Sequence, residues 1–277
     1  MTSPTPRFAL NHMAVPGLRP PALFALARAL GMRGVEIRND LDGNAILDGT
    51  PPAEIAAAAR EDGVEIVSIN ALQRFNDWTD ERAAEATELA DYARACGAKA
   101  LVLVPTNDGT GRANGERQGK LRIALKALMP ILGERELTGL VEPLGFDTCS
   151  LRLKSEAAQA IEAIAGHGMF RLVHDTFHHH LAGESATFPA LTGLVHISGV
   201  ADPEVAVPDM RDSHRVLVTA QDRLGNIAQI QRLLAAGYEG FFSFEPFATE
   251  VHALGRPEEA IRRSVETIVE GLQAAAA

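Results

Sequence analysis

Short apolar runs of strand length alternate with segments of helical spacing almost from one end of the chain to the other, and this alternation restricts the fold more than any other feature. The strand-like runs fall at residues 8–10, 35–37, 64–69, 100–104, 137–141, 170–173, 194–197 and 240–244. The run 100–104 is apolar throughout, as a strand covered on both faces should be. Between the runs, Leu23, Leu26, Ala27 and Leu30 share one helical face ahead of Gly31, and Ala86, Leu89, Ala93 and Cys96 form a stripe that Thr79 opens and Gly97 closes. Pro51 and Pro52 start an alanine-rich helix, residues 121–132 are helical, Ser155 caps a helix with Ala158, Ile161 and Ile164 inward, and Ile227, Ile230 and Leu234 mark another. Pro257 opens the last helix, with Ile261, Val265, Ile268 and Leu272 on one side. Eight strands, seven or eight intervening helices and no interdomain linker predict an α/β fold: a single closed (β/α)8 TIM barrel occupying residues 1–277 as one domain. The competing doubly wound open sheet calls for a glycine-rich first turn, which is absent.

Composition narrows the role. With 46% hydrophobic and 22% charged residues the chain can bury a sizeable core, and no apolar run approaches the length needed to span a bilayer. The lead from Met1 to Arg7 is polar and proline-containing, with no signal-type apolar segment before the first strand, so a cytoplasmic protein without membrane association is expected. A net charge of −10 works against a broad grip on nucleic-acid phosphates. The segment 106–119 is long for a connection in a barrel, and its first part reads as a mobile lid or rim loop. Its Gly109, Gly111 and Gly115 fit neither a dinucleotide fingerprint nor a phosphate-binding loop. Cys96 and Cys149 are too few for a disulfide framework, and neither has a catalytic setting.

The chemistry lies at the strand ends. The sixth run stops at Asp175 within Leu-Val-His-Asp-Thr-Phe-His-His-His, residues 172–180. Asp175 and His178, where a strand opens into a loop, can turn toward one point, and a carboxylate with an imidazole suits a divalent metal. His174 points the other way by strand alternation. The third run ends on Asn70, the fifth on Glu142-Pro143, the seventh contains His196, and the eighth ends on Glu245-Pro246. Parallel strands open on one face, so Glu142, Asp175, His196 and Glu245 converge as a four-ligand set for a divalent cation, leaving one or two positions for substrate. Taken singly, each has a plain alternative: a rim acid, a core histidine, a helix cap. Jointly the alternative is poor, because three buried acids without a cation cost on the order of several kcal/mol per unpaired charge, and no lysine or arginine adjoins them in the strand ends.

The ordered set Glu142, Asp175-Thr-Phe-His178, Val195-His196-Ile197-Ser198, His214-Arg215-Val216 and Phe244-Glu245-Pro246, with Ser68-Ile69-Asn70-Ala71-Leu72, resembles the xylose isomerase-like TIM barrel superfamily over essentially the whole chain. The resemblance is closest to the inosose isomerase (2-keto-myo-inositol isomerase) branch, with ketose 3-epimerases and hydroxypyruvate isomerase as similar relatives. It implies that Glu142, Asp175, His196 and Glu245 hold one divalent ion, Mn, Mg, Co or Zn, and that His178 and Arg215 contact substrate oxygens; Asn70 is placed with them as a substrate-binding residue. Glu142 and Glu245 are then the catalytic base and acid of an isomerase or epimerase in carbohydrate or inositol metabolism, acting on a polyol ketone or ketose through an enediolate. For His179 and His180 a solvated loop is expected. Two departures stand out: residues 217–223 replace a Pro-Gly-x-Gly turn common after the arginine, and the second acid cluster of two-metal sugar isomerases is absent. Inosose dehydration, a non-catalytic sugar-binding barrel and an endonuclease IV-like DNA-repair activity stay open as alternatives, the last opposed by the acidic balance. A homodimer is compatible with the sequence but not specified by it.

Overall fold

A computed structural model describes residues 5–41, 43, 46–113 and 115–276. The residues Met1 to Pro4 of the lead, Asp42, Asn44 and Ala45 of the loop after the second strand, and Asn114 of the long loop lie outside the described residues. Eight strands, β1 (Arg7–Asn11), β2 (Gly34–Arg38), β3 (Glu65–Gln73), β4 (Ala100–Val104), β5 (Thr138–Val141), β6 (Phe170–Asp175), β7 (Thr192–Ile197) and β8 (Phe241–Phe244), pair in parallel and in chain order. The ring closes where Arg7 to Leu10 of β1 pair with Phe241 to Phe244 of β8. Around it lie α1 (Pro20–Ala29), α2 (Pro52–Asp62), α3 (Asp80–Cys96), α4 (Glu116–Gly133), α5 (Lys154–Ala163), α6 (Thr176–Ala182), α7 (Asn226–Ala235), the single turn α8 (Thr249–His252) and α9 (Pro257–Ala276). Among the described residues no helix is long and apolar enough to cross a membrane.

Strand alternation divides the side chains between two cores. Outward residues such as Leu10, Ile37, Leu103, Val141, Ile197 and Phe244 join the helix faces of Leu23, Leu89, Leu125, Ile161, Ile230 and Ile268 in one large cluster. Inward residues Ala9, Val67, Val102, Leu140, Val173, Leu194 and Phe241 fill the lower barrel. Gly34 belongs to this inner layer: a Cβ there would meet the Phe241 ring and Val67 at 2.9 Å. Above the apolar plug the inward positions turn polar, through Glu36, His196 and Ser243 to Arg38, Glu142, Asp175 and Glu245. The site therefore sits on an incompressible floor.

Several elements differ from the sequence-based expectations. β3 runs on to Gln73, with register shifts against β2 after Val35 and against β4 after Ile69. The first bulge lets consecutive residues face inward, Val67 in the apolar plug and Ser68 on Glu36, so that Asn70 still reaches the mouth. α4 starts at Glu116, which shortens the loop ahead of it, and that loop is tied to the β5–α5 loop by Gly109 N–H donating to Thr148 O (3.0 Å) and by an Arg112–Asp147 contact. Ser155 is not a cap. It lies in the first turn of α5, where the Glu184 carboxylate accepts from the N–H groups of Lys154 and Ser155 at 3.0 Å. His178, His179 and His180 lie on α6 rather than on a solvated loop, because Asp175 Oδ1 accepts from the N–H groups of Phe177 (2.7 Å) and His178 (2.9 Å) and starts a helix at once.

His179 is also buried, and with it comes a polar knot behind the barrel wall. Lys154 Nζ lies 2.7 Å from His174 Nδ1 and 2.9 Å from His179 Nδ1, while His174 Nε2 meets Gln229 Oε1 at 2.8 Å. Burial pushes the Lys154 ammonium down to about 7 and, with the Lys154 charge, His179 down to about 4, so the imidazoles act as neutral acceptors.

Two outcomes are expected from this architecture. Gly34→Val should overpack the barrel floor and lower stability by about 1–3 kcal/mol, read as a reduced urea midpoint at unchanged slope. For Lys154, the folded pKa lies below the free value of about 10.4, so its stabilising contribution is complete above that value and is lost as pH falls through 7. Stability should thus rise between pH 7 and 10 by on the order of a few kcal/mol relative to a Lys154→Met variant, measured by denaturation across that range.

Candidate metal centre

The mouth of the barrel brings the four strand-end side chains together. One ligand atom from each of Glu142, Asp175, His196 and Glu245 lies within 4.8 Å of the others, and all four residues are buried. His196 Nδ1 is the hub: 2.8 Å from Glu142 Oε1, 3.2 Å from Glu245 Oε2 and 3.9 Å from Asp175 Oδ2. A shared ion about 2.0–2.2 Å from each donor needs separations of this order. Three carboxylates and an imidazole are a hard, borderline donor set suited to Mg, Mn, Co or Zn, so the residues fit a divalent ion.

The electrostatics agree with that reading. Burial alone would lower the pKa of His196, but Glu245, Glu36 and Glu142 outweigh it and push it well above the ordinary imidazole value, the mark of a site that favours positive charge. The two glutamates differ. Burial raises Glu142 above the usual carboxylate range, opposed mainly by His196. Burial would raise Glu245 too, yet His196, Arg215 and Arg38 hold it below that range. Its oxygens are crowded with donors: Arg38 Nη1 at 2.9 Å, Asn11 Nδ2 at 3.1 Å and Asn70 Nδ2 at 3.2 Å on Oε1, and Arg215 Nη2 at 2.9 Å on Oε2.

Arginines therefore do reach the acids, although none adjoins them in sequence. Arg215, only 1% exposed, extends from the loop after β7 and also donates to Asp175 Oδ2 (2.6 Å), Ser198 Oγ (3.1 Å) and Asp212 Oδ1 (3.1 Å). Arg38 comes from the end of β2, where Asp40 braces it at 2.8 Å. The Phe247 ring lies against both guanidiniums, 4.5 Å from that of Arg215 and 5.5 Å from that of Arg38.

A cavity of about 310 Å³ opens above the acids, and Asn70, His178 and Arg215 all line it together with Arg38, Phe146 and Phe247. His178 is held edge-on by Phe146 and Phe177, each with ring centroids at 5.3 Å, and its buried Nδ1 has no hydrogen-bond partner, which leaves a polar atom for a ligand. His174 faces away from the mouth, into the Lys154 knot. Sequence reasoning missed Glu36, Asn11 and Arg38. Their signal is period-two alternation, which puts Glu36 and Arg38 on the inward face of β2.

No curated protein sequence matches the chain. A xylose isomerase domain-containing protein from Salmonella typhimurium LT2 is 34% identical, with 99% of each chain covered and a TM-score of 0.88. An IolI protein carrying a zinc atom is 20% identical over 97% of this chain and 98% of its own, with a TM-score of 0.84. An L-ribulose 3-epimerase is 16% identical over 98% and 96%, with a TM-score of 0.70. The model of the xylose isomerase-like TIM barrel family matches residues 24–270, and the chain belongs to that family.

Proposed function

We propose that the protein, working as one domain, is a divalent-metal-dependent isomerase or epimerase of a polyol ketone, with a cyclic inosose the favoured substrate and an open-chain ketose next. The observation that carries this reading is the meeting of Glu142, Asp175, His196 and Glu245 around one point at the base of a substrate-sized cavity. Those four residues would hold the ion. A bound divalent cation supplies the Lewis acidity that makes a carbon acid beside a ketone removable at neutral pH.

The chain's own residues do the rest. Glu142 and Glu245 would serve as base and acid, and Arg38 and Arg215 donate to Glu245. Proton removal by one and return by the other moves the carbonyl or inverts the carbon through an enediolate. Arg215 and His178 steady the oxygen on which charge develops, and Asn70 orients a hydroxyl at the cavity wall. Phe146 and Phe247 give the cavity part of an apolar wall. A net charge of −10 favours a small neutral polyol over nucleic acid as the partner.

A glutamate that returns its proton to a β-hydroxyl rather than to carbon expels that hydroxyl as water. Dehydration is therefore the second reading, and product mass separates the two.

The metal-loaded protein, incubated with a panel of inososes and ketoses in deuterium oxide, should incorporate one deuterium at the carbon beside the carbonyl with no loss of water. No label in any substrate removes the proton-transfer reading. Glu142→Gln should lower kcat by roughly 10²–10⁴-fold with little change in KM, since the amide keeps the shape but cannot carry the proton. Wild-type turnover in that variant would rule out the two-glutamate chemistry.

A further inference from the structure

Beneath the three converging carboxylates lies a fourth acid that the proposed chemistry leaves unused. Glu36, in the middle of β2, is fully buried, level with His196 and one layer deeper in the barrel than the three carboxylates of the ligand set. Both of its carboxylate oxygens lie 3.2 Å from His196 Nε2, on the side of the ring opposite the one that faces Glu142, Glu245 and Asp175. Its remaining contacts are neutral donors: Ser68 Oγ at 2.6 Å on Oε2 and Asn11 Nδ2 at 3.1 Å on Oε1. Among the described residues no lysine or arginine contacts it directly, and Arg38 acts on it only through space.

We infer that Glu36 is a positioning residue for the metal: it binds the Nε2–H of His196, fixes that tautomer, and so commits Nδ1 to be the ligand atom. A carboxylate only accepts, so a lone pair on Nε2 at 3.2 Å would face two negative oxygens between two fully buried side chains. An N–H there satisfies both partners, and Nδ1, 2.8–3.9 Å from the three upper carboxylates, is the nitrogen left to offer its lone pair to an ion held among them. The neighbours hold the acid still. Asn11 Oδ1 accepts from Met13 N–H at 2.9 Å, which turns the amide so that Nδ2 bridges Glu36 Oε1 and Glu245 Oε1, each at 3.1 Å. Ser68, brought inward by the β3 bulge, takes the other oxygen. Outer carboxylates of this kind set imidazole orientation and basicity, and their loss typically weakens metal affinity by about 10–100-fold.

This inference rests on the metal reading of the mouth, and the test separates the two. Zinc would be titrated against a chromophoric chelator into wild type, Glu36→Gln, Ser68→Ala and the exposed control Glu204→Gln, each shown to be folded by circular dichroism. Nitrogen-15 spectra of histidine-labelled, zinc-loaded wild type would identify the His196 tautomer without any substitution. The expected result is roughly 10–100-fold weaker zinc binding for Glu36→Gln, a smaller loss for Ser68→Ala, no change for Glu204→Gln, and a protonated Nε2 with zinc on Nδ1. Affinity of Glu36→Gln within twofold of wild type, or a proton on Nδ1 in the loaded wild type, overturns the role of Glu36 and leaves the metal site standing. Wild type that binds no zinc, manganese or cobalt overturns both. If Glu36→Gln does not fold, the wild-type tautomer still decides.

Discussion

Mutual repulsion among buried carboxylates is the constraint that shapes this molecule. Glu36, Glu142, Asp175 and Glu245 crowd around one imidazole where water cannot screen them, and each like-charge pair at such distances would cost several kcal/mol if left alone. The fold answers with positive charge from every side: His196 at the centre, Arg215 and Arg38 at the rim, and room for a cation. Only a rigid frame can hold such a cluster. The closed ring of strands over a packed apolar floor supplies it, because no strand can withdraw without opening the sheet.

The same frame makes the two glutamates chemically different although they look alike in sequence, each followed by proline. Glu245 is gripped by two guanidiniums that share the Phe247 ring, whereas Glu142 has His196 as its named partner. Their difference comes from the loops and from β2. It is a property of the assembled mouth, in line with the general rule that chemistry on this fold is set by what surrounds the strand ends.

Much of this was legible in the residues, for a physical reason. A strand buried on both faces is apolar, so a run that ends abruptly on Glu142, Asp175 or Glu245 stands out, and parallel strands put all such ends together. What stayed hidden was polarity without a boundary. Glu36 sits between Val35 and Ile37 in mid-strand: alternation puts it on the face opposite theirs, but does not tell whether that face meets the barrel interior or solvent. The bulges of β3 depend on pairing with its neighbours, and the helix carrying His178 to His180 is started by the side chain of Asp175 rather than by helix-favouring composition. Arg215 is far from the acids in sequence and meets them only through the loop after β7.

The bridge made by Asn11 lies across the seam where the first strand meets the last, joining an amide of β1 to the acid that follows β8, 234 positions away. Ring closure and completion of the four-residue cluster are therefore one event. A chain still emerging from the ribosome holds Glu142, Asp175 and His196 long before Glu245 is made, so the full set can assemble only when the barrel shuts.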